Sequence, residues 1–307
     1  MRFFKKTNID FMAKRRIGYV ISGVLIGAGI VSLSLKGFDF GVDFLGGTEL
    51  IVQFSRPAPI GDIRSALERV GFGRAEIKAY GSDRDILIRT TAITTTEGVA
   101  VGERLREGLK TAFPDNPFTA LKEDKIGPKI GAELRRDAIY AVIASLIAIS
   151  LYVAVRFKFV YGIGAMVSLL HDVLVTLGLV SICDGFLNLE IDQNMIAAFL
   201  TLVGTSINDT VVIFDRIREN QKIFKTMPLY ELMNKSINET LSRTIITNGS
   251  IFMVLLVILL FGGEVLRGFA FALTIGAVTG TYSTVYIASA VVLEVTQRTK
   301  AKAVMAK

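Results

Sequence analysis

The sequence predicts an α-helical membrane protein with six transmembrane helices, one followed by five. A ferredoxin-like α+β domain is inserted after the first helix. Three observations carry this expectation. The 307-residue chain is 51% hydrophobic with a mean hydropathy of +0.51, more apolar than an ordinary soluble domain. Its apolar residues gather into six long runs. Between the first run and the second, residues 36–137 change to short alternating and helical patterns.

A bilayer core of roughly 30 Å needs about 20 apolar residues of helix. Segments 17–35, 138–155, 159–183, 194–214, 244–262 and 265–294 reach or approach that length. The first follows Lys14, Arg15 and Arg16, as a secretory signal would. Its apolar core exceeds the ~7–15 residues usual for a signal, so it reads as an uncleaved span. Lys and Arg crowd the tail 1–16, the turn at Arg156 and Lys158, the segment 215–243 and the tail 295–307. The opposite short loops, 184–193 and 263–267, carry only Arg267. The positive-inside rule then places both termini in the cytoplasm and residues 36–137 on the outer, periplasmic side of the membrane. The same distribution accounts for the net charge of +7 without nucleic acid, for which the chain shows no motif. The basic segment 215–243 is expected to lie on the cytoplasmic bilayer surface as a short amphipathic helix. Cys183 is the only cysteine, so an intrachain disulfide is impossible.

The outer segment reads strand, helix, strand, strand, helix, strand. "GTELIVQF" (47–54) is rich in strand formers, and 59–70 places Ile60, Ile63, Leu67 and Val70 at helical spacing. Segments 75–81 and 85–91 alternate around a Gly-Ser-Asp turn, as a hairpin would. A second helix is expected over 94–113, capped by Thr94 three residues before Glu97, and a last strand over 116–124. This βαββαβ order is that of a ferredoxin-like fold, which by itself implies no activity. With no His, Cys or Gly-rich phosphate loop, the domain reads as a binding or mechanical part. "GVDFLGG" (41–47) leads into it and "KIGPKIGAEL" (125–134) leads out. Gly41, Asp43, Gly46, Gly47, Gly127 and Pro128 are turn residues at least, and hinge candidates.

The polar residues inside the spans are the candidate site. Thr201, Thr205 and Asp209 recur every fourth residue in the fourth span, with Asn208 alongside. A charged residue facing lipid costs ~2.5–3.5 kcal/mol on insertion scales, so this stripe should face the bundle interior. Arg243, at the start of the next span, is its expected partner, and Thr244 and Asn248 give that span a polar face. Asn would glue helices together at lower cost than Asp. A titratable carboxylate opposite an arginine can instead take up and release a proton, and so bias two helix arrangements. A second polar site is formed by His171, the only histidine, and Asp172, within a stripe of Ser168, Asp172 and Thr176. Interhelical hydrogen bonding, worth ~0.6 kcal/mol per contact, is the competing reading there. An intramembrane hydrolase is disfavoured, because neither a nucleophile nor an H-E-x-x-H spacing accompanies the pair. Gly23 and Gly27, and the ridge Gly276, Gly280, Thr284 and Ala288, suggest close helix contacts.

Taken in order, "GVDFLGG" (41–47), "IGPKIGAEL" (126–134), "LLHDV" (169–173), "SINDTVVIFDRIREN" (206–220) and "SRTIITNGS" (242–250) make the whole chain resemble the SecF family. That family supplies the smaller subunit of the bacterial SecD–SecF complex and looks like a branch of the resistance–nodulation–division transporters. The resemblance implies a twelve-span pseudosymmetric bundle with SecD in the cytoplasmic (inner) membrane. Association with the SecYEG channel, and with YajC, follows from it, as does promotion of late protein export by the proton motive force. Unfolded secretory polypeptides are the implied clients. It implies no enzymatic activity and no cofactor, with the proton as coupling ion. By its place in "SIND" Asp209 matches the family's proton-coupling carboxylate, and by its place in "SRT" Arg243 matches the paired arginine. The family often has an aromatic before "SIND", where this chain has Thr205. The alternative within the superfamily is a proton-driven small-molecule efflux pump, against which the small outer domain argues.

Overall fold

Helices here follow the apolar runs and overshoot them, because helix ends outside the apolar slab keep their polar side chains in water. The computed structural model describes residues 7–92 and 100–305. Among the described residues, six helical stretches are long and apolar enough to cross a membrane: Met12–Lys36, Pro128–Arg156, Phe159–Leu187, Gln193–Ile223, Leu229–Phe261 and Val265–Thr299. The elements are, in order, α1 (Arg15–Lys36), α2 (Val42–Leu45), β1 (Gly47–Phe54), α3 (Ile60–Arg69), β2 (Glu76–Ala79), β3 (Asp85–Thr90), α4 (Val101–Ala112), β4 (Phe118–Ile126), α5 (Pro128–Arg156), α6 (Phe159–Leu187), α7 (Gln193–Ile223), α8 (Leu229–Phe261), α9 (Glu264–Ser283) and α10 (Ser289–Met305). A π-helical turn, Thr284–Ala288, joins α9 to α10 within the sixth span. The chain is a multi-pass membrane protein with a small antiparallel-sheet domain after its first helix.

The chain divides into two units. One comprises residues up to Phe38, Tyr140–Leu189 and Asn194 onward; the other comprises Asp39–Ile139 with Glu190–Gln193.

Within the helical unit, α6 and the sixth span are the most enclosed, whereas α5 and α8 turn apolar faces outward, for example Ile147, Leu151, Val254 and Val257. Residues 215–243 depart from expectation. They form no separate surface helix but extend α7 and α8, which meet at the short turn 224–228. The reason is packing. Ile217, Leu232, Met233 and Ile237 join a buried cluster with Met12, Phe214 and Leu293, hiding more apolar surface than a headgroup layer would. Polar pairs align the two extensions: Asn220 Nδ2 donates to Ser236 Oγ (2.9 Å), and Arg216 Nε donates to Glu239 (2.6 Å). Arg218 and Lys222 remain exposed on the outer side of the extension.

In the α+β unit the strand order is β2-β3-β1-β4, antiparallel throughout, which is the ferredoxin-like topology. Alternation sends Leu50, Val52, Phe54, Ile86 and Ile88 to one face, where Ile63 and Leu67 of α3 and Leu105 and Leu109 of α4 cover them. A bulge between Ile51 and Val52 leaves Leu121 of β4 outside the ladder. The expected Thr94 cap lies outside the described residues, and the described helix begins at Val101.

The opposite sheet face carries charge. Register places Glu49 across from Arg89, and Glu76 across from Arg89 on the other side. Arg89, only 5% exposed, pairs with Glu49 (2.9 Å), Glu76 (3.2 Å) and Glu190. Lys78 also reaches Glu190 (2.7 Å) and Glu76 (3.0 Å). Burial is the largest influence on Lys78 and works against its charge, but Glu190 and Glu76 more than reverse it and hold its pKa above the ordinary lysine value.

Candidate functional site

Small residues decide which helices approach one another. Gly29 of α1 lies against Gly178 of α6 so closely that a Cβ on Gly29 would sit 2.6 Å from the Gly178 Cα. Gly276 and Gly280 of α9 face Leu202 and Ser206 of α7, as the small-residue ridge suggested. Gly23 and Gly27 do not act this way, since no atom lies within 4 Å of where their Cβ atoms would be. The contact face of α1 is instead Gly18, Ser22 and Gly29.

These approaches enclose two polar clusters. The first centres on Asp209, 5% exposed. The Asn248 side-chain amide of α8 donates both to Asp209 Oδ2 and to Thr281 Oγ1 of α9, so one residue ties three helices together. Beside them lies a cavity of about 60 Å³ lined by Thr201, Thr205, Ser206, Asp209 and Asn248 among others. Its walls are mainly apolar, and the volume is large enough to hold water beside the polar groups of Asp209, Asn248 and Ser206.

The expected pairing of Asp209 with Arg243 does not occur here. Arg243 is exposed on α8 and has no ion pair among the described residues. Arg243 precedes Asn248 by five residues, which on a helix is about 140° around the axis and about 7.5 Å along it. Presenting Asn248 to Asp209 therefore turns Arg243 away. Thr244, one turn before Asn248, is buried on the same face, and its hydroxyl has no partner. The predicted polar stripe splits as well. Asp209 is buried, whereas Thr201, Thr205 and Asn208 are exposed.

The second cluster surrounds His171 and Asp172 of α6, which are 6% and 0% exposed. His171 Nδ1 lies 2.9 Å from Asp172 Oδ1, and His171 Nε2 lies 2.9 Å from Ser22 Oγ of α1. Asp172 Oδ2 accepts hydrogen bonds from Ser206 of α7 (2.5 Å) and Ser283 of α9 (2.8 Å), and Ser168 donates to Ser283 (2.9 Å). Ser22 continues to the Tyr282 hydroxyl (3.2 Å), which donates to the Gly18 carbonyl (2.5 Å). Thr176, the third member of the predicted stripe, is buried with its hydroxyl unpartnered. Ser206 belongs to both clusters: it bonds Asp172 and lines the Asp209 cavity. The π turn begins directly after Ser283, and Thr284 Oγ1 meets Thr210 Oγ1 of α7 (3.0 Å). Such turns concentrate at functional places in helices. Among the described residues no group of three or more His, Cys, Asp or Glu side chains is arranged to hold a metal ion.

The hinge candidates lie within the α+β unit, and all but Gly127 are engaged by neighbours. Gly41 N donates to Ile191 O (2.9 Å), and Asp43 Oδ2 accepts from Gln193 N (3.0 Å) at the first residue of α7. Gly46 and Gly47 both have positive φ, +71° and +129°. A Cβ on Gly46 would lie 2.7 Å from Pro128 Cα, and one on Gly47 would lie 2.2 Å from Thr90 O. Pro128 opens α5, where its missing N–H costs nothing. Gly127 has open space around it.

The two signature regions coincide with known family features. Residues 31–58 match the SecD/SecF GG Motif, and residues 107–298 match the family described as Protein export membrane protein SecD/SecF, C-terminal. The chain belongs to the SecF family. Relatives named Protein translocase subunit SecF include that of Rhodothermus marinus, 47% identical over 98% of both chains. The one from Escherichia coli O157:H7 is 37% identical over 93% of this chain and 87% of its own. A crystal structure of SecDF from Thermus, a translocon-associated membrane protein, aligns with a TM-score of 0.83 and 37% identity over 95% of this chain. SecDF in its super-membrane-facing form aligns with a TM-score of 0.73 and 36% identity over 99% of this chain. This SecF-family chain spans about two-fifths of those solved chains, 39% and 41%.

Proposed function

We propose that this chain is the SecF subunit of a SecD–SecF complex that assists protein export through the Sec channel, with Asp209 as the group that couples proton entry to helix movement. The observation that carries the reading is the setting of Asp209. It is buried in a span, held by a neutral amide rather than a cation, and borders a small, mainly apolar cavity into which Thr201, Thr205, Ser206 and Asn248 bring polar groups. A carboxyl group so placed can change charge at a point where three helices meet. One elementary charge moving through 100 mV supplies about 2.3 kcal/mol. That shifts a two-state equilibrium about fifty-fold.

A partner chain is supported by the outward face of the same helix. Thr201, Thr205 and Asn208 are exposed in the middle of a span, where lipid is a poor neighbour for polar groups. A second membrane subunit, SecD, covers this stripe, and Arg243 adds its charge beside that interface. The complex sits in the cytoplasmic membrane with both termini inside, and the α+β domain meets unfolded polypeptide on the periplasmic side. Purification of the tagged chain in mild detergent, with identification of its companions, tests the assembly. Recovery of a SecD-type subunit in stoichiometric amount is expected, and recovery of the chain alone contradicts it.

A further inference from the structure

Hydrogen-bond accounting around His171 leads beyond the role of Asp209. The Gly18 carbonyl can only accept, so the one hydroxyl proton of Tyr282 points to it. Ser22 must then donate to Tyr282, which leaves Ser22 Oγ as the acceptor for His171 Nε2. Nε2 therefore carries a proton. A neutral imidazole protonated at Nε2 offers a bare Nδ1, and a carboxylate offers a bare Oδ1. Two acceptors do not hold a buried 2.9 Å contact without a proton between them. The Nδ1···Oδ1 line thus contains one proton, and the pair as a whole is neutral.

We propose that His171 and Asp172 form a second proton-binding site, which exchanges its proton with the Asp209 cavity through the Ser206 hydroxyl. The exchange balances as follows. When the Nδ1···Oδ1 line is empty, a donor in the cavity passes a proton to Ser206 Oγ as Ser206 passes its own to Asp172 Oδ2, and a half-turn of the carboxyl group about Cβ–Cγ then carries that O–H round to His171 Nδ1. One O–H bond breaks and one forms at Ser206, and the pair goes from one negative charge to none. Release runs in reverse. Ser283, also bonded to Oδ2, steadies that oxygen while it receives the proton and releases it for the turn.

Charged groups on the packed helices stand apart from the pair. On α1, Arg15 and Arg16 are six or seven residues from Ser22, and Lys36 is fourteen away. On α9, Arg267 is sixteen residues before Ser283, and on α10, Glu294 and Arg298 lie beyond the π turn. On α6 itself, Lys158 and Asp184 are at least twelve residues from the pair. On α7 the ionisable neighbour is Asp209, three residues from Ser206. The one titratable side chain reaching the pair is Tyr282, with its ring 5.9 Å from the imidazole. The contact that leaves the site through Ser206 thus leads to the Asp209 cavity.

The proposal rests on the reading of Asp209 as the coupling group, but it has its own readout. His171 is the chain's only histidine, so ¹⁵N-histidine labelling of the full chain, purified through a tag without histidine, gives one imidazole to follow by NMR. The expected spectrum shows Nε2 protonated and Nδ1 sharing a proton. S206A should slow exchange of that shared proton with solvent at least about tenfold, and S206T, which restores a hydroxyl, should recover it. D172N should remove the shared-proton signal while Nε2 stays protonated. An unprotonated Nε2, or wild-type exchange in S206A, overturns the proposal. Neither result depends on export, so failure of the Asp209 reading in an export assay is seen separately.

Discussion

Asn248 of α8 is the hydrogen-bond partner of Asp209, and the same amide holds Thr281 of α9. The carboxyl group is thereby positioned by a neutral donor from a different helix. N248A should leave Asp209 buried without that donor. A hydrogen bond to a charged group is worth about 1.5–3 kcal/mol, and a loss of that size should appear as reduced resistance of the bundle to denaturant. N248D, which places a second acid at 209's side, should shift the pH dependence of proton-driven export. An unchanged pH profile in N248D would show that this contact is structural only.

Arg89 is buried between Glu49, Glu76 and Glu190. R89M removes the nearer cation of Glu49, which is only 6% exposed and keeps just the longer 3.8 Å contact with Lys122. Breaking a buried pair from one side costs about 3–5 kcal/mol. Pulse proteolysis of the full chain should show the α+β unit cut earlier in R89M. Much of the loss should be recovered in R89M/E49L, because no uncompensated carboxylate remains. Equal sensitivity of single and double variants would contradict this account.

Gly47 has a φ of +129°, and a Cβ there would lie 2.2 Å from Thr90 O. G47A should therefore disturb the start of β1 and cost about 1–3 kcal/mol. G127A meets open space and should be nearly neutral. If G127A impaired export while G47A did not, free rotation at Gly127 would matter more than packing at the double glycine.

Asp10 ties the N-terminal arm to α8. The Tyr230 hydroxyl, the largest influence, and the Ala13 amide both hold its pKa below the ordinary aspartate value. A depressed carboxyl pKa means that the contact stabilises the arm above the unfolded value of about 3.9 and is lost as pH falls below it. Protease cleavage before Met12 should accelerate below pH 4 in the wild type. In D10N it should be fast at neutral pH too.

Much of this protein is legible in its sequence, and the illegible parts share a cause. The spans and the βαββαβ order follow from local periodicity, which needs no knowledge of neighbours. Asp209 stands out because a carboxylate inside an apolar run has no local excuse. The partner of Asp209 does not stand out, because it depends on the rotation of α8, and a turn of about 140° separates Arg243 from Asn248. Ser22, Ser206, Ser283 and Tyr282 carry no local signal at all. They become a network only when four helices meet around His171 and Asp172. The Arg89–Glu190 pair joins positions 101 residues apart in the chain, beyond any pattern rule. The extensions of α7 and α8 were hidden for a similar reason: amphipathic residues suit a membrane surface and a helix pair equally well.

The most direct test of the central claim is export driven by an imposed proton gradient, with the chain and its SecD-type partner reconstituted beside the Sec channel. D209N keeps the size and hydrogen bonding of the side chain but removes its ionisation. The account predicts that D209N assembles normally and loses the proton-dependent stimulation, while D209E retains part of it. Wild-type stimulation in D209N would contradict the account and reduce Asp209 to a contact between helices.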